Sequence, residues 1–339
     1  MEKSPVTLRS LAAELGVSAM TVSLALRQSH EVSATTRTRV QELAAKRGYR
    51  PDPQVGKLMQ HLRTRREARA TANLCGLRQS WGFSPAPPGN YMDRLTGDLA
   101  VRARQLGFTF SLLSLDDYPT RTQLTRVLVS RGVEGLLLLP MRQSCDLTDR
   151  LDWSRFSTVA LTSSVTAPRF HGVTPNHFDN MILACRRLAE AGYERIGLAM
   201  TAELDLRVNH RWTGGIAWQS QFGGLAKVQP LIDPSHSLNL DPEAFTAWMV
   251  KERPDAVIVG APDPSIPAKA LARMPVGRRP KIVTMNWPDG GADFGINQRP
   301  ERIGIVGLEA LCAMIIRGEK GLPQLPHQTM IDGSWETAP

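Results

Sequence analysis

Arginine and lysine side chains are concentrated in the first seventy residues, where they could bind an anionic partner. Residues 1–70 carry 13 of the 41 basic and 6 of the 32 acidic residues, a net charge of +7 out of +9 for the whole chain. The remainder of the chain is nearly neutral, with a net charge of +2. Guanidinium and ammonium groups bind phosphate oxygens, so this segregated charge favours nucleic acid, or less readily a membrane surface, as the partner.

No pattern in the sequence predicts catalysis or metal binding. The chain contains no G-x-x-x-x-G-K-[ST], G-x-S-x-G, G-x-G-x-x-G or H-E-x-x-H motif. The cysteines lack zinc-ligand spacing and are expected to be reduced, structural thiols; they are Cys75, Cys145, Cys185 and Cys312. The histidines form no cluster in sequence and are expected at surface or capping positions; they are His30, His61, His171, His177, His210, His236 and His327.

Length and hydropathy favour a cytoplasmic protein of two or three domains. A chain of 339 residues is long enough to bury a sizeable core. It contains no apolar run of the length that crosses a membrane, and the N-terminal MEKSPVTLRS has no apolar signal region. We therefore expect neither a membrane partner nor a cofactor or metal.

The elements that position the basic residues are predicted to be three short helices. Each begins after a hydroxyl side chain that can cap it, and two end at a glycine that can take positive φ. The predicted segments are Leu8–Leu15 after Thr7, Ala19–Leu26 after Ser18, and Ala34–Arg47 after Ser33, with Gly16 and Gly48 as terminators. Helix, tight turn and helix in this spacing is typical of a helix-turn-helix. A small structural bundle is the alternative.

A fourth helix is predicted to start at Asp52–Pro53. Apolar residues follow at helical spacing, at Val55, Leu58, Met59 and Leu62. A lone amphipathic helix of this length is marginal in water, so the same helix of a second subunit would be its partner. A solvated linker helix is the alternative.

Residues 5 to about 62 resemble the DNA-binding headpiece of the lactose-repressor (LacI/GalR) family of bacterial transcription regulators. The stretches that carry the resemblance are VTLRSLAAELGVSAMTVSLALRQS and VSATTRTRVQELAAKRGYRPD. The resemblance implies that the second helix enters the major groove and that a hinge helix from each subunit enters the minor groove. A leucine of that hinge would wedge between base pairs and kink the DNA, and Leu58 is the matching residue.

The second helix departs from the family pattern at its centre. Leu24 stands where an arginine is frequent, and Met20 where a polar residue is common. Leucine cannot bind guanine bidentately, so we expect Ala19, Met20 and Leu24 to lie on the exposed side and contact thymine methyl groups. Packing of Leu24 against the headpiece is the alternative. The predicted DNA-contacting residues are Thr7, Ser18, Ala19, Met20, Thr21, Ser23, Leu24, Arg27, Arg50, Lys57 and Leu58; Thr21, Ser23 and Arg27 are better placed for phosphates or sugars.

From residue 72 onward, short apolar strands alternate with amphipathic helices. Predicted strands are 74–79, 108–115, 135–139, 158–161, 196–200, 256–259 and 281–285; predicted helices are 91–106, 121–130, 179–191, 211–221, 242–251 and 301–317. Such alternation indicates parallel sheets covered on both faces, and this many units favours two doubly wound lobes. The expected fold is an all-α headpiece followed by a two-lobed, periplasmic-binding-protein-like α/β domain.

The resemblance extends to this domain and sets the predicted boundaries. SRGVEGLLLLP, LAEAGYERIGLAM, PDAVIVG and RGEKGLP resemble family stretches in the expected order. The headpiece is predicted at 1–51, the hinge helix and linker at 52–71, and the effector-binding and dimerisation domain at 72–339. The N-lobe would comprise about 72–164 and 292–320, and the C-lobe about 165–291 and 321–339. The chain would cross near 163–166, 289–296 and 318–323.

A ligand is expected between the lobes, at the carboxyl ends of the strands. By the resemblance, Arg211 matches an arginine that holds effector hydroxyls, Asn286 falls where an acidic residue is common, and Gln298 falls at another cleft position. Asp263 lies close to Ala261, which stands where an asparagine is common. Trp287, like Trp212 and Trp218, could stack on a sugar ring or pack in the core. A sugar is the expected effector, with purines and small acids left open.

Together these features predict a homodimeric, sequence-specific transcription regulator, expected to be a repressor. Its partners would be double-stranded, pseudo-palindromic operator DNA and a small-molecule effector, and it would be cytoplasmic and associated with the nucleoid. The alternatives are a constitutive DNA-binding protein without ligand response and, less favoured, a ligand-binding protein or enzyme of the two-lobed type.

Overall fold

The computed structural model describes residues 7–26, 32–49, 72–79, 89–235, 237–260, 265–287 and 292–338, apart from the side chains of Arg9 and Met20. The N-terminal unit consists of α1 (Leu8–Leu15), α2 (Ala19–Leu26) and α3 (Ala34–Arg47), with the bounds that the sequence predicts. The caps are those predicted as well. Thr7 Oγ1 accepts from the Ser10 amide at 3.1 Å and Ser33 Oγ from the Thr36 amide at 3.3 Å, while Gly16 has φ +67°.

The three helices enclose a small apolar core. Its fully buried members are Leu11, Ala12, Val22, Ala25, Val32, Val40 and Ala44. Every helix contributes to this set, so none of the three could bury its apolar face alone. The predicted hinge helix, with Lys57 and Leu58, lies outside the described residues.

The first lobe is built on a six-stranded parallel sheet of order β13-β7-β5-β3-β1-β2. Its strands are β1 (Asn73–Arg78), β2 (Thr109–Ser114), β3 (Val133–Leu138), β5 (Ser157–Leu161), β7 (His171–Pro175) and β13 (Gln328–Ile331). A short pair, β4 (Cys145–Asp146) and β6 (Val165–Ala167), lies beside it. The covering helices are α4 (Tyr91–Thr96), α5 (Leu99–Gln105), α6 (Arg121–Ser130) and α12 (Pro300–Arg317). The single helix predicted over 91–106 is thus interrupted at residues 97–98.

The second lobe repeats the architecture with a six-stranded sheet of order β14-β12-β11-β10-β8-β9. Its strands are β8 (Ile196–Thr201), β9 (Leu231–Asp233), β10 (Ala256–Gly260), β11 (Lys281–Thr284), β12 (Phe294–Asn297) and the antiparallel β14 (Ser334–Thr337). The helices of this lobe are α7 (His177–Glu190), α8 (Ala202–Arg207), α9 (Arg211–Phe222), α10 (Pro242–Glu252) and α11 (Ser265–Ala272). The fold class is therefore the predicted one.

The chain crosses between the lobes later than the sequence predicts. Because β7 pairs with β5, the first crossing follows Pro175 and not residues 163–166. The second crossing lies between β12 and α12, and the third between β13 and β14, at residues 332–333, and not at 318–323. The predicted lobe ranges are therefore wrong for the segments between the predicted and the observed crossings. The strands that lie in the other lobe from the one predicted are β7, β12 and β13. Each is short and polar at one end, and its place is fixed by pairing with strands distant in sequence.

The long helix α12 packs closely against both α4 and the first sheet. A Cβ at Gly304 would lie 2.2 Å from the carbonyl oxygen of Leu95 in α4. Leu308 and Leu311 of the same helix are fully buried against the first sheet. No helix in the described part of the chain is both long and apolar enough to cross a membrane.

The cysteines behave as the sequence predicts for structural thiols. All four are unpaired, and Cys75, Cys185 and Cys312 are buried, whereas Cys145 is half-buried. Burial raises the pKa of Cys75 to about 11 and that of Cys185 to about 12, so both remain protonated at neutral pH.

Candidate nucleic-acid interface and ligand cleft

The start of α2 is held by hydroxyl side chains that were predicted to face DNA. Ser18 Oγ accepts a hydrogen bond from the Thr21 amide at 3.0 Å and pairs with the Thr21 hydroxyl at 2.8 Å. Thr7 and Ser18 are exposed, and Thr21 and Ser23 are half-buried. Thr7 and Ser18 therefore cap α1 and α2, and Thr21 pairs with the Ser18 hydroxyl in the first turn of α2; their predicted DNA contacts stay predictions.

The apolar centre of α2 is less exposed than predicted. Leu24 and Ala19 are half-buried and pack against the headpiece core. The prediction that they project from the exposed side is wrong in this respect, and the alternative of packing within the headpiece holds for Leu24. The reason is the composition of α2, AMTVSLAL, whose apolar residues surround the whole helix and are drawn into a small core.

The basic face of the headpiece is carried in part by α3. Arg47 donates to Glu14 of α1 at 2.7 Å, with both side chains largely exposed. An exposed pair of this kind adds little stability. Arg27, Arg50, Lys57 and Leu58 lie outside the described residues, and their predicted DNA contacts stay predictions.

The two lobes are linked by direct hydrogen bonds across the cleft. Arg94 of α4 donates to the Trp287 carbonyl oxygen at 2.7 Å and to Asn297 Oδ1 at 2.8 Å. On the opposite lobe, Glu203 accepts from the Ser144 amide at 2.6 Å. Arg207 of the same helix, α8, donates to the Arg142 carbonyl oxygen at 2.8 Å. A change in lobe angle must therefore break or rearrange charge-assisted hydrogen bonds.

A polar cluster lies where the first turns of α7 and α9 meet. The rings of His177 and Trp212 pack edge to face with centroids 5.5 Å apart. Both are buried, with exposed fractions of 5% and 4%, and Asn180, one turn after His177, is 2% exposed. Arg211 precedes Trp212 and is half-buried. The cluster thus combines a cation with three nearly inaccessible polar side chains.

Burial and charge determine the protonation of His177. Burial, reinforced by the charge of Arg211, lowers the pKa of His177 to about 3. The imidazole is therefore neutral at physiological pH. The prediction that the histidines lie at surface or capping positions is wrong for His177, whereas the exposed His210 does precede α9 and pairs with Asp205 at 2.7 Å.

The first lobe contributes hydroxyl groups to the same cleft. Thr162 follows the carboxyl end of β5 at φ +65°, and its Oγ1 is buried without a partner among the described residues. The hydroxyl of Ser144 is also buried and lacks a partner within the described ranges. Positive φ is costly for threonine, and such strain is found where a site needs a particular geometry.

Among the predicted effector residues, Arg211 lies in the polar cluster at the first turns of α7 and α9. Asn286 and Trp287 follow β11 and are half-buried, but the Trp287 ring covers Gly295, whose Cβ would lie 2.7 Å from Cε3. Gln298 is buried and donates to the Met285 carbonyl oxygen, which joins the ends of two strands. These contacts give Trp287 and Gln298 structural roles; Asp263 lies outside the described residues.

Sequence reasoning missed His177 and Asn180 as site residues. Both belong to α7, which reads in sequence as an ordinary amphipathic helix, and nothing in their spacing signals a site. Trp212 was considered for stacking, but its buried indole N–H is the feature that matters, and Trp218, 46% exposed, lies on the surface beside Phe222. The described residues hold no group of acidic, cysteine and histidine side chains that could bind a metal.

Comparison with known proteins identifies the headpiece. Residues 7–52 match the family model for bacterial regulatory proteins of the lacI family. A comparison with curated protein sequences found no match.

Solved structures resemble the chain over nearly its whole length. One is the lac repressor dimer bound to operator and the anti-inducer ONPF. Its sequence is 18% identical to this chain, the alignment covers 98% of both chains, and the TM-score is 0.57. The complex of the transcriptional regulator CelR with cellobiose is 19% identical, again with 98% of each chain covered, at a TM-score of 0.60. The transcription regulator CcpA of Lactococcus lactis is 15% identical in sequence. The alignment covers 79% of this chain and 98% of the CcpA chain, and the TM-score is 0.59. At such identities the likeness establishes the fold. The chain therefore carries a lacI-family domain at residues 7–52, followed by the two-lobed fold of the solved regulators of that type.

Proposed function

We propose that the protein is a homodimeric transcription regulator, a repressor, that binds a pseudo-palindromic DNA operator under the control of a small molecule. The observation that carries the proposal is the match of a lacI-family model to residues 7–52, on a headpiece whose three capped helices form a helix-turn-helix. The protein would act in the cytoplasm, on the nucleoid. The relatives that support this reading are regulators and not enzymes.

The cleft between the lobes is where a ligand would act on the headpiece. Ligand binding changes the relative stability of two lobe arrangements, and the bonds from Arg94, Glu203 and Arg207 are the contacts that differ between them. Such coupling is typically about 1–3 kcal/mol and is reciprocal, because DNA must change ligand affinity by the same factor. A second candidate function, constitutive DNA binding, would show no such coupling.

The first test of the proposal is selection of bound sequences from a random pool of duplex DNA by the full-length chain. A two-fold symmetric site should be enriched, because a symmetric dimer presents two headpieces to two half-sites. Its affinity should fall steeply with salt, since basic side chains replace counterions at phosphates. Failure to enrich any site, with binding that depends on salt alone, would contradict sequence-specific regulation.

A further inference from the structure

Four buried nitrogen atoms at the first turns of α7 and α9 have no hydrogen-bond partner among the described residues. They are His177 Nδ1, Asn180 Nδ2, Arg211 Nη1 and Trp212 Nε1. Most buried polar atoms in folded proteins are paired, because an unpaired group has lost its water without compensation. Nine side-chain atoms in the described part of the chain are exceptions, and four of the nine lie together here. Four such atoms on adjacent turns indicate that another molecule completes their hydrogen bonding.

The four atoms lie at the face of the second lobe that borders the cleft. Trp212 packs over Gly260, the last residue of β10, whose Cβ would lie 2.9 Å from Trp212 Cζ3. His177 is the first residue of α7, directly after the chain has crossed from the first lobe. Neighbouring Asn176 bonds to Asp332 at the third crossing, at 2.8 Å. The cluster therefore lies at the carboxyl edge of the sheet, next to the connections between the lobes.

The chemistry of the four atoms favours an acceptor over a donor. The guanidinium, the amide NH₂ and the indole N–H can only donate, and a neutral imidazole can donate as well. Asn180 has its acceptor already occupied, because its Oδ1 receives the Gly333 amide at 2.8 Å. A neutral polyol brings one O–H donor with each acceptor oxygen, and that donor would find no acceptor among these four groups, whereas an ionised carboxylate brings acceptors only.

The nearby carboxylates in the described part of the chain accept hydrogen bonds from groups other than these four atoms. Asp205 accepts from the Thr213 hydroxyl at 2.9 Å and pairs with His210. Asp179, in the first turn of α7, accepts from Asn176 at 2.7 Å. The helices α7 and α9, of 14 and 12 residues, also direct their positive ends to this place. An external oxyanion would satisfy both the hydrogen bonds and the charge.

We propose that the effector of this cleft carries an anionic group, a carboxylate or a phosphate, bound by His177, Asn180, Arg211 and Trp212. The proposal rests on the proposed function and narrows the effector, expected from sequence to be a sugar with purines and small acids left open, to an anionic ligand. The unpartnered hydroxyls of Thr162 and Ser144 across the cleft suit hydroxyl groups on the rest of the molecule. A hydroxylated acid or a sugar phosphate meets both requirements.

The experiment measures the thermal midpoint of the full-length chain with pairs of probes that differ in charge. D-Gluconate is compared with D-glucitol, D-glucose 6-phosphate with D-glucose, and inorganic phosphate is added alone. A saturable rise in midpoint is expected with at least one anion and not with its neutral counterpart, because a ligand that binds only the folded state stabilises it. The gluconate and phosphate arms distinguish the two kinds of oxyanion. A neutral sugar that stabilises as strongly as its anion, or no anion that stabilises the chain, would overturn the proposal.

Two arginine variants distinguish anion binding at the cluster from anion binding elsewhere on the surface. Arg211→Met should remove the anion-dependent shift. Arg126→Met alters a surface groove of about 370 Å³ that also contains Arg121 and Arg155, and the shift should persist there. The free Arg211→Met protein should melt no lower than the wild type, because a buried donor without a partner is removed. A clear loss of stability in the free variant would show that an acceptor within the chain, such as Asp263, already pairs with Arg211, and would contradict the proposal.

DNA binding, measured in the same samples, distinguishes failure of this inference from failure of the proposed function. An enriched operator whose occupancy responds only to neutral sugars would retain the regulator and contradict the anionic ligand. An Arg211-dependent anion shift without any sequence-specific DNA binding would retain the ligand class and contradict the regulator.

Discussion

His177 and Trp212 face each other edge to face across the junction of two helices, and each presents a buried ring nitrogen that has no partner in the described part of the chain. The pairing fixes both rings, so their free nitrogens are held in place before a ligand arrives. Preorganised donors of this kind reduce the ordering cost of binding.

Acid should destabilise the protein through His177. Its pKa is held near 3 in the folded state, against an ordinary 6.5, so between these values the unfolded chain binds a proton that the folded chain does not. The free energy of unfolding should therefore fall as pH drops below about 6.5, by at most about 1.4 kcal/mol per pH unit. Urea unfolding near neutrality and near pH 5 measures this for the wild type and for His177→Gln. An equal loss in both proteins would show that other groups cause it.

Removing the guanidinium of Arg94 should loosen the attachment of the lobes. It bonds to the Trp287 carbonyl and to Asn297, and its side chain is only 22% exposed. Arg94→Met should cost about 2 kcal/mol of unfolding free energy, because charged hydrogen bonds are lost and an acceptor is left unpaired. Arg102→Met, which breaks a more exposed pair with Glu309 within one lobe, is the control. Similar losses in urea unfolding of the two variants would contradict a special role for Arg94.

Gly304 should tolerate no side chain. An added Cβ would lie 2.2 Å from the Leu95 carbonyl oxygen, so α12 and α4 would have to separate. Gly304→Ala should destabilise the protein by about 3 kcal/mol, as overpacking of backbone against backbone does. Gly214→Ala, where nothing lies within 4 Å of the new Cβ, should be neutral or stabilising by about 0.5–1 kcal/mol. Calorimetric midpoints that fall equally for both variants would refute the close approach.

Leu24 should affect both headpiece stability and base preference. Because the side chain is half-buried against the core, Leu24→Ala should lower headpiece stability by about 1 kcal/mol. If its exposed part contacts a thymine methyl group, the variant should also lose thymine preference at one position of each half-site. Proteolysis of the headpiece and repeated DNA selection check the two effects. Guanine preference at that position in the wild type would exclude readout by Leu24.

The headpiece could be predicted residue by residue because its signals are local. Thr7 and Ser33 cap helices, Gly16 and Gly48 end them, and the apolar residues between them repeat at helical spacing. Each signal acts within a few residues and needs no tertiary partner. Leu24 is the exception, because the choice between core and groove depends on how closely α3 packs.

The lobes were predictable only in outline. β1, β3 and β10 are apolar runs that any sheet would bury, and their bounds agree with the prediction to within two residues. β7, HGVTP, contains a glycine and ends in proline, so its assignment needed β5 and β13 on either side. The site residues are harder still, since an unpaired nitrogen on His177 or Asn180 exists only once two helices are in contact.

If one ligand in the cleft controls DNA binding, the operator and the ligand must each change the affinity for the other. Operator affinity would be measured by fluorescence anisotropy with and without the anionic probe that stabilises the wild type, and probe affinity with and without operator. Both affinities should change by the same factor, in the range of about 5 to 150, and Arg211→Met should lose both changes. Tight operator binding that is indifferent to a bound probe would contradict ligand control and leave a constitutive DNA-binding protein.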